Sequence, residues 1–114
     1  MSTVLIALPI PSGSTEEMVR EFAKEINAKL DGFAKSRTDL EVTLEAWAVQ
    51  DLPTGGQLFI LALGGDDPVK ANRLFAESQT AFDRWFKDRA GPLLNASFDQ
   101  PLPPITRTLF DWHA

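Results

Sequence analysis

A chain of 114 residues with 44% hydrophobic and 24% charged residues has the balance of one soluble globular domain, 1–114. It is long enough to bury a core without a metal or disulfide staple. With no cysteine and a single histidine, His113, it excludes disulfide frameworks, thiolate nucleophiles and Cys-ligated metal centres. A histidine-based metal site or a Ser-His-Asp triad is equally unfavoured, so neither a metal nor a cofactor is expected. The net charge of −5 argues against nucleic acid and anionic lipid as partners. Met1-Ser2-Thr3 has no positive n-region, and Val4 to Ile10 is too short an apolar run for a signal segment. No stretch approaches the ~18 apolar residues that span a bilayer, and a cytoplasmic location is the expectation.

The apolar run Val4 to Leu8, closed by Pro9 and Pro11, predicts a first strand. Ser14 with Glu17 has the spacing of a capping box, in which each side chain satisfies a free backbone N–H at a helix start. The helix that follows carries Val19, Phe22, Ile26, Leu30 and Phe33 on one stripe. Gly32 falls inside that stripe, and because Phe33 continues it, one helix is expected to run on to about Ser36.

Residues 41–50 alternate as a second strand. One face holds Val42, Leu44, Ala46 and Ala48, and the other holds Thr43, Glu45, Trp47 and Val49. Asp51 to Gly56 reads as a hairpin connection to a third strand, Leu58 to Leu63, which has no polar interruption. Gly64-Gly65 then leads to Asp67-Pro68, an N-cap followed by proline at the first helical position. This second helix is expected to restart at Ser78-Gln79-Thr80 and to stop at Gly91-Pro92. The proline-rich residues 91–104 read as a long irregular connection, and Ile105 to Trp112 as a last strand.

The predicted order is β-α-β-β-α-β. That is a ferredoxin-like α+β fold with a four-stranded antiparallel sheet in the order 4-1-3-2. Two helices cover one face of such a sheet, yet the runs 4–8 and 58–63 are apolar on both faces. A bare second face would exceed the apolar patch that monomers tolerate. A second copy related by a two-fold axis is the simplest cover, so a homodimer through the sheet face is expected.

Four segments carry a family resemblance: the strand end Pro9-Ile10-Pro11-Ser12-Gly13, the run Gly64-Gly65-Asp66-Asp67-Pro68, the stretch Ala81-Phe82-Asp83-Arg84-Trp85-Phe86-Lys87, and the ending Leu109-Phe110-Asp111-Trp112. With them the chain resembles an uncharacterised family of small bacterial proteins in the dimeric α/β-barrel superfamily. The resemblance implies two ferredoxin-like sheets packed face to face. It implies no particular activity, because relatives on that fold include cofactor-free monooxygenases, isomerases, haem-dependent dismutases and stress-response dimers.

Asp83, Arg84 and Trp85 place a carboxylate, a guanidinium and an indole within one helical turn, as the mouth and flat wall of a ligand pocket would. The alternative is an amphipathic helix end, with Phe82 and Phe86 in the core and Asp83 pairing with Lys87. Glu45 and Trp47 share one strand face. Facing a barrel interior, Glu45 would be a carboxylate in an apolar cavity, suited to general-base work; on the helix side or at a frayed edge it would be a solvated gatekeeper. Asp66-Asp67 is foremost a turn and helix cap, and the glycines at 55–56 and 64–65 match no phosphate-binding pattern.

Two functions compete. One is a small apolar or aromatic molecule bound in the barrel, with residues 91–104 as lid and oxygenase- or isomerase-like chemistry. The other is a non-catalytic structural, stress-associated or partner-binding dimer whose interior is filled by side chains. An RNA-recognition sheet has the same strand order, but the third strand lacks the basic and aromatic pattern it needs.

Overall fold

The computed structural model describes residues 1–102 and 106–114. Three strands, β1 (Ser2–Pro9), β2 (Val42–Asp51) and β3 (Gln57–Gly65), form an antiparallel sheet in the order β1-β3-β2. Four helices cross one face of it: α1 (Glu16–Asn27), α2 (Leu30–Asp39), α3 (Pro68–Glu77) and α4 (Ala81–Leu94). The β2–β3 hairpin is as the sequence implies. Gly55 and Gly56 both take positive φ, +96° and +84°, and Leu52 N–H bonds to Gly56 O at 3.0 Å.

The ferredoxin-like four-stranded sheet is not what the chain forms. Of the expected fourth strand, Ile105 lies outside the described residues, and residues 106–112 make no backbone ladder. They do run beside β1. The Thr106 hydroxyl donates to Leu5 O, and the Thr108 hydroxyl donates to Thr3 O at 2.9 Å. Side-chain hydroxyls stand where peptide N–H groups would have paired, so β1 remains the sheet's edge and the order is 1-3-2, without the strand that face-to-face barrel packing presumes.

The helices divide differently too. The long first helix is two. Thr15, not Ser14, is the N-cap of α1, its hydroxyl accepting from Met18 N–H at 3.3 Å. α1 closes at Asn27, where Ala28 and Lys29 N–H return to Lys24 O and Ile26 O. Gly32 sits inside α2, where an added Cβ would lie 2.8 Å from the Phe82 ring; the glycine admits that ring. α3 starts as predicted, with the Asp67 carboxylate accepting from Lys70 N–H at 3.0 Å and Pro68 at the first position. α4 runs through Gly91-Pro92 to Leu94 and ends at Asn95 in the left-handed conformation (φ +49°). Proline costs one hydrogen bond there, in the final turn, where the helix is about to end anyway.

The inner face of the sheet carries Val4, Ile6 and Leu8 from β1, Phe59, Leu61 and Leu63 from β3, and Glu45, Trp47 and Val49 from β2. Ile6, Phe22, Ile26, Phe86, Ala90, Leu93, Phe98 and Leu102 form the main buried core. A bulge between Val42 and Leu44 turns Val42 inward to a smaller cluster with Leu63 and Ala71, off the face that strict alternation assigned it. Gly65 is required at that bulge, because a Cβ there would collide with the Glu41 carbonyl oxygen.

No helix lies on the outer face. It carries Thr3, Leu5, Ala7 and Pro9, then Leu58, Ile60, Ala62 and Gly64, then Leu44, Ala46, Ala48 and Gln50. None of these twelve positions is charged. Leu5 and Leu44 are 49% and 40% exposed.

Candidate functional site

Between the sheet and the helices lies a layer of aromatic rings with a polar cluster beside it. Phe22 is its hub, with ring centroids 5.7 Å from Trp47, 5.8 Å from Trp85 and 5.1 Å from Phe86. Alternation along β2 points Glu45 and Trp47 into this layer, and the Trp47 indole N–H donates to Glu45 Oε2 at 3.0 Å. Arg37 on α2 meets the same carboxylate, with Nε 2.7 Å from Glu45 Oε1 and Nη2 3.4 Å from Oε2. Its guanidinium also lies over the rings of Phe33, Phe75 and Phe86, 4.5 to 4.9 Å from their centroids. These contacts hold the planar cation on both its edge and its faces.

Asp83 extends the cluster. Its carboxylate accepts from the Ser36 and Ser78 hydroxyls, each at 2.5 Å, and lies 3.9 Å from Arg37 Nη1. Arg37 Nη1 donates in turn to Ser36 Oγ at 2.9 Å. Lys87, 3% exposed, does not pair with Asp83. Its ammonium donates to Ala76 O at 2.9 Å and Ser78 O at 2.8 Å, closing the carbonyl end of α3, where a cation is favourable. Among the described residues no buried side-chain nitrogen or oxygen lacks a partner. Every charge in the cluster is spent on another protein group.

The space beside this cluster is about 60 Å³. Its walls are mostly apolar, with Arg37, Glu45 and Asn72 as the polar lining and Phe98 and Leu102 among the closing side chains. Asn72 clasps the loop that bears them: its amide donates to Leu102 O at 2.8 Å and accepts from Leu102 N–H at 3.2 Å. Ligand pockets for drug-sized molecules run to roughly 300–1,000 Å³. The space beside Arg37 and Glu45 is several-fold smaller.

The five residues singled out in the sequence are dispersed. Glu45 and Trp47 are neighbours at the cavity, and Asp83 joins them through Arg37. Glu45 faces the helices, yet it is a buried ion-pair member rather than a solvated gatekeeper. Arg84 points outward, to Asp88 at 3.0 Å and to Asp99 at 2.8 Å on the loop after α4. That guanidinium holds the Asp99 carboxyl below its ordinary 3.8, and Asp99 raises Arg84 in return. Trp85 packs on Phe22 and Phe82, and the Lys29 ammonium lies 4.9 Å from its ring centre. Arg37, Ser36 and Asn72 were not among the site residues expected from the sequence, and Lys87 was expected only as a partner of Asp83, which it is not. The stripe 19-22-26-30-33 was the available signal, since its next members fall at 36 and 37.

The remaining features are plain. Among the described residues no group of three or more His, Asp or Glu is arranged to hold a metal ion, and no helix is long and apolar enough to cross a membrane. His113 lies 3.4 Å from Asp111 in the exposed terminus. Comparison with known family models, curated proteins and solved structures finds no match for the chain.

Proposed function

We propose that the chain is an association module whose working form is a homodimer, with the uncovered sheet face as its interface. The observation that carries this reading is the outer face itself: three strands and twelve positions without one charge, in a chain whose net charge is −5. Soluble proteins rarely leave a continuous apolar surface of that kind in water. A two-fold axis lets one such patch cover its own copy. The filled interior supports the same reading, because the buried ions satisfy one another and the residual space is small.

Ala46→Glu tests it. Ala46 is exposed at the centre of β2, so a glutamate there is compatible with the folded protomer but sets a charge in the interface. Sedimentation is expected to show a dimer for the original chain and a folded monomer for the variant. Equal assembly of the two, or a monomeric original chain, overturns the proposal.

One observation favours a second reading, a ligand of a few heavy atoms taken up inside. Phe98 and Leu102 close the cavity from a loop fastened at one end by the Asn72 clasp and at the other by Asp99, which pairs with Arg84 and with Lys87. If that reading holds, Asn72→Ala raises the uptake of benzene or xenon as seen by a shift in melting temperature. No change in either protein rejects it.

A further inference from the structure

The outer sheet face is small for a stable dimer. With strands about 4.8 Å apart and about 3.3 Å of rise per residue, its projected footprint is roughly 400 Å². A stable interface buries about 800 Å² on each partner. Something apolar must add to it, and the chain carries a candidate at the margin of that face. Leu109, Phe110 and Trp112 are 95%, 84% and 75% exposed.

We infer that the C-terminal segment of each copy packs onto its partner along the rim of the paired sheet faces and extends that interface. This rests on the homodimer proposed above and says which residues complete its interface. The segment is placed for the task by Thr106 and Thr108, whose hydroxyls donate to Leu5 O and Thr3 O. Those two bonds lead it antiparallel along the β1 edge, and Thr3 and Leu5 themselves belong to the uncovered face. Residues 109–112 therefore follow from the rim of the patch. Buried aromatic side chains hide about 150–250 Å² each, so Phe110 and Trp112 supply roughly the area the sheet lacks. In a two-fold pair each protomer offers one tail and one face, so the exchange closes and leaves no apolar surface to propagate.

The absence of cysteine makes the test direct. Two full-length variants, Phe110→Cys and Ala62→Cys, are mixed in equal amounts and joined with a short bismaleimide. A cross-link between the two different chains is expected. A third chain carrying both substitutions supplies the opposing outcome: linkage within that chain, with none between the two single variants at concentrations where the protein is dimeric, overturns the inference and returns the tail to its own face. A Phe110→Ser, Trp112→Ser double variant separates this claim from the reading beneath it. Its dimer is expected to dissociate at least about tenfold more readily. An unchanged dissociation constant refutes the tail while the sheet-face dimer stands; a monomeric unsubstituted chain refutes both.

Discussion

At the residue scale, the Arg37–Glu45 pair decides how the interior behaves. Both side chains are almost withdrawn from water, so each charge depends on the other. Glu45→Gln keeps the shape, removes the negative charge and leaves buried Arg37 with only the more distant Asp83 carboxylate, 3.9 Å away. Removing one member of a buried pair costs about 3–5 kcal/mol, which urea denaturation will read as a lower midpoint. Replacing both, as Arg37→Leu with Glu45→Leu, is expected to recover part of that loss: the pair's desolvation penalty goes, while the Trp47 N–H loses its acceptor and Asp83 its nearby cation. A double variant as unstable as the single one contradicts this account of the cluster. Gly65→Ala tests the bulge: its methyl group collides with the Glu41 carbonyl, and strain of that kind costs about 1–3 kcal/mol. The sequence showed Glu45 and Trp47 on one strand face, since alternation depends only on the pleat. It hid Arg37, because an arginine on an apolar stripe looks like the point where the stripe ends until a partner on another element is known.

At the element scale, the caps separate what spacing suggests from what the backbone does. Ser14 and Glu17 have capping-box spacing, but the hydroxyl bonded at the start of α1 belongs to Thr15. Thr15→Ala is therefore expected to lower stability by about 1 kcal/mol, and Ser14→Ala by much less. The reverse order in thermal melts would contradict the assignment. Strands and hairpin were legible from apolar runs and glycines, whereas the break after Asn27 was not: no glycine or proline marks residues 27–29. Proline misled in the other direction, because Pro92 in a last turn costs too little to stop α4. The failed fourth strand has a comparable cause. Neither face of residues 105–112 is consistently apolar, and hydroxyls at 106 and 108 take the β1 carbonyls instead of a peptide ladder.

The loop after α4 also carries a pH signature. Folding lowers the Asp99 carboxyl through Arg84, so its stabilisation is complete above about pH 3.8 and is lost as pH falls through the lowered value. Asp99→Asn is expected to flatten that part of the acid limb of stability. An unaltered acid limb, followed by denaturant midpoints down to pH 2.5 or so, would show that the pair contributes nothing.

At the scale of the whole molecule, the surface count made from the sequence survives a change of fold. Four helices replace two and three strands replace four, yet the helices still lie on one side of the sheet and the outer side is still apolar. The predicted pairing depended on a strand that residues 106–112 do not form; the exposed face depended only on β1, β2 and β3, which the sequence did mark. The most direct measurement is sedimentation equilibrium of the unsubstituted chain across a range of micromolar concentrations. The account predicts a particle of about 25 kDa, twice the 12.6 kDa chain, dissociating reversibly on dilution. A 12.6 kDa particle throughout that range would contradict it.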